Sequence, residues 1–186
     1  MVERNLAKVN VAGSNPVSRL NFRQQKEKHS MKISDFLSKK AILMDIQSTK
    51  KEDTIKELTE SLINSGDIDK KYSGKLLEAL MAREQLGSTA IGQGVAIPHA
   101  KTEGAEKMIA AFGISKKGVN FDSLDGEPAY LFFLLLAPQD SAGPHLKALA
   151  RISRILKDKY FRDKLRNAPD QKTVIDIISE EDEKKI

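Results

Sequence analysis

Nine consecutive residues, Ala129-Tyr-Leu-Phe-Phe-Leu-Leu-Leu-Ala137, carry no charge and almost no polarity. The run is too short to span a bilayer. Nor does it alternate, as a strand with one wet face would. Its length and its termination by Pro138 suit a strand buried on both faces, and such a strand needs a layer of helices on each side of its sheet. The rest of the chain supplies them. Helical periodicity over about 49–64 places Ile55, Leu58, Leu62 and Ile63 on one stripe, with Ser48 or Thr49 as the expected N-cap and Gly66 as the stop. A second helix is expected over about 70–84, with Leu76, Leu77, Leu80 and Met81 together. A third runs over 145–157 through Leu146, Leu149, Ile152, Ile155 and Leu156, and two more cover 160–167 and 171–179. Further strands are read at Ala41–Ile46, Val95–Ile97 and Lys107–Ser115, with Lys117-Gly118 as a turn. The expected fold is α/β: a single domain with a central mixed β-sheet flanked by helices.

Residues 31–180 make up that domain, opened by a short helical turn at Ile33–Leu37. Residues 181–186 read as a frayed, solvated tail, and residues 1–30 as a disordered basic leader. The leader holds six Lys/Arg against Glu3 and Glu27, a net of +4 out of the whole-chain +5. The body is therefore almost neutral, and it lacks the phosphate-neutralising surface that nucleic-acid binding draws on. Gly13-Ser14-Asn15-Pro16 is what GGT-TCG-AAT-CC would encode, a string resembling the T-loop of a transfer RNA gene. The leader is thus readable as the product of a misplaced start, or else as a flexible basic tail that touches a membrane or partner. The chain has no cysteine, which removes disulfides, thiolate catalysis and cysteine-bound metals. With no continuous apolar segment at the N-terminus, the cytoplasm is the expected compartment.

The chemistry concentrates in Gly87-Ser-Thr-Ala-Ile-Gly-Gln-Gly-Val-Ala-Ile-Pro-His99. Three glycines bring backbone N–H groups within reach of a ligand, and Pro98 fixes the chain just before an imidazole. A nucleophilic or phosphate-carrying histidine needs such support, although the spacing alone fits a turn histidine equally well. Outside the leader the other histidine is His145, after Gly143-Pro144 in the first turn of a helix, where the helix dipole favours its neutral form. Several alternatives fail. Gln93-Gly94 replaces the Lys-Ser/Thr of a P-loop, the dinucleotide fingerprint lacks its third glycine, and no Gly-x-Ser-x-Gly elbow is present.

From Arg83 to Ala100 the sequence resembles the active-site signature of enzyme IIA domains of the fructose/mannitol type, components of the bacterial phosphoenolpyruvate-dependent sugar phosphotransferase system. The resemblance extends over about Met31 to Ile178 and includes Asn120-Phe-Asp-Ser-Leu-Asp-Gly126 and His145-Leu-Lys-Ala-Leu-Ala150. Ala90 departs from the glycine that many members carry, a change that would stiffen a loop needing positive φ. The resemblance implies that His99 is phosphorylated on Nε2 by phospho-HPr. It implies that His145 hydrogen-bonds the phosphoryl group or the first imidazole, and that Arg83 stabilises phosphate. Ser88 and Thr89 are weaker phosphate donors by the same comparison. No metal, nucleotide or other cofactor is required by transfer between histidines. The expected acceptor is a cysteine of an enzyme IIB component, in uptake of a sugar such as fructose or mannitol. The alternative is the nitrogen-related regulatory branch, where phosphorylation state controls binding to other proteins. The chain carries neither a IIB-like cysteine nor a membrane domain of its own; it is compatible with both branches and leans toward regulation. Because the donor is a protein, the site is expected to be open with an apolar collar, its rim drawn from 100–106 and Asp140–Gly143.

Overall fold

The computed structural model describes residues 31–184; the expectations for the leader and for residues 185–186 lie outside the described residues. Six strands form one mixed sheet: β1 (Leu37–Leu43), β2 (Ala90–Gly92), β3 (Val95–Ala96), β4 (His99–Lys101), β5 (Ile109–Val119) and β6 (Ala129–Ala137). The order is β1-β5-β6-β3-β2, with β4 also pairing β6. β5 and β6 are antiparallel, whereas β3 and β4 both run parallel to β6. β3 and then β4 pair along the same edge of β6, interrupted by Ile97-Pro98 (Val95 opposite Leu131, His99 opposite Leu135). Five α-helices cover the sheet: α1 (Lys51–Asn64), α2 (Ser73–Gln85), α3 (Ala142–Ile155), α4 (Lys159–Arg166) and α5 (Gln171–Glu183).

The nine-residue apolar run is β6 from end to end, and its two faces belong to two separate cores. Leu131, Phe133 and Leu135 pack with Ile152 of α3, Phe161 of α4 and Val174 of α5. Phe132, Leu134 and Leu136 pack with Ile55 and Leu58 of α1 and with Leu76 and Leu80 of α2. Side chains alternate across a strand, so a strand with helices on both sides must be apolar at every position. Each core also holds a tilted aromatic pair across the sheet, Phe112–Phe133 on one face and Phe121–Phe132 on the other.

Several local expectations are corrected. Neither Ser48 nor Thr49 caps α1. Its N-cap is Lys50, which has no side-chain cap bond, and Ser48 instead donates to Glu57 at 2.5 Å. β1 begins at Leu37, because Lys39 and Lys40 stand exposed on an edge strand where polar residues cost little. Lys117-Gly118 is not a turn: β5 continues to Val119 through an irregularity in its pairing with β6. Leu146 does not join the core stripe of α3 and is 65% exposed. The chain does not fray at Glu181. α5 runs on to Glu183, and the carboxylate of Asp182 accepts the backbone N–H groups of Ile33 and Ser34 and the Arg151 guanidinium. That buried carboxylate ties the C-terminal helix to the start of the domain.

Candidate functional site

His99 opens β4, immediately after the break at Pro98. Its ring is held from both nitrogens. Nδ1 lies 2.7 Å from the carbonyl oxygen of Ile97, which can only accept, so Nδ1 carries the proton and donates it. Nε2 is then the lone-pair nitrogen, and it accepts a hydrogen bond from Nε of Arg83 at 3.2 Å. Arg83 comes from the last turn of α2, and its Nη1 also donates to the carbonyl of Gly87 at 3.0 Å. The guanidinium is therefore aimed by one backbone contact while its Nε–H points at the imidazole.

His145 approaches from the opposite side of the sheet edge, in the first turn of α3, with ring centroids 5.6 Å apart and planes inclined by 49°. It is 7% exposed, and its Nδ1 is buried without a hydrogen-bond partner. Burial holds the His145 pKa down to about 4, with the neighbouring His99 and Lys101 adding to the shift. Burial also lowers the His99 pKa; the Ile97 carbonyl opposes this and the Arg83 guanidinium reinforces it. Both imidazoles are neutral near pH 7, one presenting a fixed lone pair and the other an unsatisfied ring nitrogen.

The structure thus brings Arg83, His99 and His145 together from α2, β4 and α3. It does not bring Ser88 or Thr89 to them as hydroxyl donors. The Ser88 hydroxyl donates to the Phe121 carbonyl at 2.5 Å, and that of Thr89 to the Glu84 carboxylate at 2.6 Å. The Thr89 backbone N–H also goes to Glu84. Two of the three glycines are taken up by a hairpin. Gly92 and Gly94 flank Gln93 in the turn between β2 and β3, and all three have positive φ (80°, 77° and 55°). A Cβ on Gly92 would meet the Asp125 carboxylate at 2.8 Å, the same carboxylate that accepts the Gln93 N–H. Ala90 lies in β2 outside the positive-φ region, so alanine there imposes no strain.

The rim is exposed at Asp140 and at Ala142–Gly143. Residues 100–106 are mostly packed, with Thr102 and Ala105 buried and only Lys101, Glu103 and Glu106 exposed. Two large apolar side chains are exposed on the elements that carry the site. Leu86, 85% exposed, follows α2, and exposed Leu146 follows His145. Sequence reasoning also missed the Ile97 carbonyl, Glu84 and Lys51. Glu84 stands beside Arg83 in the motif, whereas nothing in the sequence connects Lys51 to it.

The family described as "Phosphoenolpyruvate-dependent sugar phosphotransferase system, EIIA 2" matches residues 35–181. A fructose-specific EIIABC component of Bacillus subtilis is 41% identical over 152 residues, covering 82% of this chain; the chain spans only 24% of that protein. A nitrogen regulatory protein of Bradyrhizobium diazoefficiens is 37% identical over 149 residues, covering 80% of this chain and 95% of the relative. The crystal structure of nitrogen regulatory protein IIA-Ntr from Neisseria meningitidis superposes with a TM-score of 0.72 at 32% identity, covering 78% of this chain and 98% of that one. The fold is shared, at 21% identity and a TM-score of 0.62, with the complex of enzyme IIAMTL and phosphorylated enzyme IIBMTL from Escherichia coli, which covers 76% of this chain and 95% of that one.

Proposed function

The chain belongs to the EIIA type 2 family of the phosphoenolpyruvate-dependent sugar phosphotransferase system, a family of phosphotransfer components, and from that premise we propose that it is a phosphohistidine carrier. His99 takes a phosphoryl group from phospho-HPr and passes it to a cysteine of an enzyme IIB component serving uptake of a fructose- or mannitol-type sugar. The observation that carries this reading is the pair of contacts on one imidazole. A ring whose Nδ1–H is spent on a backbone carbonyl keeps its nucleophilic lone pair on Nε2, and that lone pair faces a guanidinium suited to phosphate oxygens.

In the transfer, the P–N bond to the donor imidazole breaks as a P–N bond to Nε2 of His99 forms. The proton on Nδ1 stays where Ile97 holds it, so His99 neither gains nor loses one. The Arg83 Nε–H, released from Nε2, turns to a phosphoryl oxygen, and a ring N–H of neutral His145 is close enough to do the same. Such a transfer asks for alignment and charge stabilisation and little else. Exposed Leu86, just after the helix that carries Arg83, and exposed Leu146, next to His145 in α3, offer donor and acceptor proteins an apolar footing.

A second reading is favoured by the likeness to the Neisseria IIA-Ntr structure: a regulatory carrier whose phosphorylation state controls its binding to other proteins, without sugar transport. Both readings share the first step. Incubation with phosphoenolpyruvate, enzyme I and HPr is expected to add one acid-labile phosphoryl group to the parent protein and none to His99→Ala, read by intact mass. A parent that gains none defeats both. Chasing the phosphorylated protein with purified IIB separates them: the label leaves for a IIB cysteine in the transport reading and stays on His99 in the regulatory one.

A further inference from the structure

The least expected charged group in the domain is Glu84, 7% exposed and one residue from Arg83. Its carboxylate makes no contact with His99. It accepts the Thr89 backbone N–H at 3.1 Å and the Thr89 hydroxyl at 2.6 Å, and it pairs with the Lys51 ammonium at 3.1 Å. Lys51 stands at the start of α1 and also pairs with Asp122 at 2.6 Å, with its ammonium 5.5 Å from the centre of the Phe121 ring. Asp122 sits at φ +52°, a conformation that non-glycine residues seldom adopt, so the loop after β5 is bent to deliver it. Burial works against the Lys51 charge, but Asp122 and Glu84 outweigh it and hold the ammonium above its ordinary pKa.

These contacts close a bracket around the end of α2. The Gly87 N–H returns to the Glu84 carbonyl at 3.1 Å, while the Gly87 carbonyl accepts Arg83 Nη1. The Glu84 side chain then clamps Thr89 two residues further on, and the Ser88 hydroxyl fastens the same turn to Phe121. Apart from His99 itself, the one hydrogen-bond partner that aims the guanidinium, the Gly87 carbonyl, lies inside this turn. A flexible turn would let the Gly87 carbonyl wander, and the long arginine side chain would lose its single backbone guide.

We propose that Glu84 is a positioning residue: its buried carboxylate, balanced by Lys51, locks the turn to Thr89 so that Arg83 stays aimed at Nε2 of His99. The pairing with Lys51 has a second consequence. It lets a carboxylate serve as the clamp without setting a bare negative charge beside an incoming phosphoryl group. This rests on the phosphocarrier reading for its kinetic consequence, though not for its geometry.

The test is a double-mutant cycle on phosphoryl uptake from phosphorylated HPr, with NMR of the Arg83 Nε–H as an independent readout. E84Q keeps the shape of the side chain and removes the charge. It is expected to slow uptake by about tenfold to a hundredfold with the KM for the donor unchanged. It should also turn a protected Arg83 Nε–H resonance into a rapidly exchanging one. The double variant R83A/E84Q is expected to be no slower than R83A alone, since Glu84 acts through Arg83. Uptake by E84Q at the parental rate, or losses that multiply in the double variant, would overturn the proposal. If E84Q does not fold, T89V removes the same hydroxyl clamp and is expected to loosen the Arg83 resonance, whereas T89S retains it. If the parent protein itself takes up no phosphoryl group, the carrier reading fails. The Arg83 resonance in E84Q still decides the positioning role: exchange that becomes fast supports it, and exchange that stays slow refutes it.

Discussion

The two histidines of the site occupy regions built in opposite ways. His99 stands on a short strand with both ring nitrogens engaged, one by a backbone carbonyl and one by a guanidinium. His145 stands in the first turn of a helix, buried, with Nδ1 engaged by nothing. Hydrogen bonds fix the tautomer and orientation of the first, whereas packing alone fixes the second. On the phosphocarrier reading proposed above, the difference separates two chemical duties. A nucleophile needs its lone pair on a known atom, and a donor to a group that arrives later has to wait unsatisfied. An unpartnered buried ring nitrogen is a cost to stability, and in the proposed transfer the phosphoryl group would supply the missing partner.

The sharpest way to break the comparison is to delete each element of the first region. His99→Ala should abolish phosphoryl uptake, measured by intact mass, while the thermal midpoint stays close to the parent's because the ring is only partly buried at the edge of the core. Persistent uptake in that variant would transfer the nucleophile's role elsewhere. Next in size is Arg83→Ala, which removes the donor at Nε2 and is expected to cost about 10²–10³ in the transfer rate, the scale found when one preorganised donor to developing charge is lost. Arg83→Lys should recover little, because an ammonium cannot address Gly87 and Nε2 in one rigid plane. Full recovery by lysine would show that only charge matters there.

The second region is probed by pH. The folded state holds the His145 imidazole neutral, with a pKa of about 4 against an ordinary 6.5. Above pH 6.5 both folded and unfolded chains carry it neutral and it adds no pH dependence. As pH falls from 6.5 towards 4, the unfolded chain binds the proton and the folded one does not, so stability drops, by roughly 3 kcal/mol across the whole window. Denaturant melts of the parent and of His145→Gln between pH 7 and 4 should diverge by about that amount, with the variant flatter. Parallel curves would mean that His145 titrates normally and is not desolvated. The same lowering at both histidines predicts that the uptake rate stays level as pH falls through 6.5, with its acid limb below that value.

How much of this was legible in the sequence follows from where each partner lies. β6 can be read residue for residue because burial on both faces leaves a local mark, an apolar run stopped by Pro138. The acidic run Glu180-Glu181-Asp182-Glu183 reads as solvent because the partners that bury Asp182, Arg151 and the N–H groups of Ile33 and Ser34, are about 30 to 150 positions away. The glycine-rich segment misled in another way. Positive φ suits a phosphate cradle and a tight hairpin equally well, and here the hairpin at Gln93 claims it. In the candidate site, Arg83, His99 and His145 stand out through the motif resemblance; spacing alone leaves each of them ambiguous. The Ile97 carbonyl that sets the tautomer belongs to the backbone and has no letter in the sequence. Lys51 could be recognised only once α1 was seen to start beside the end of α2.

The smallest expected effect concerns two exposed leucines on the elements that carry the site. Leu86 follows the helix that carries Arg83, and Leu146 follows His145, so two of the elements that supply the site each carry one large exposed apolar residue. Among the described residues only Ile91, Leu124 and Tyr160 are comparably exposed, and on the phosphocarrier reading Leu86 and Leu146 are the exposed apolar residues nearest in sequence to Arg83 and His145. Neither side chain contacts the reacting atoms, so each should act on binding and not on chemistry. Leu86→Ser and Leu146→Ser are each expected to raise the KM for phospho-HPr by several-fold with kcat unchanged, in keeping with the loss of one partly buried contact. A fall in kcat for Leu146→Ser but not for Leu86→Ser would show that the helix carrying His145 moves when the partner docks. The two regions would then differ in rigidity as well as in hydrogen bonding, the unsatisfied histidine being the one that travels to the phosphoryl group.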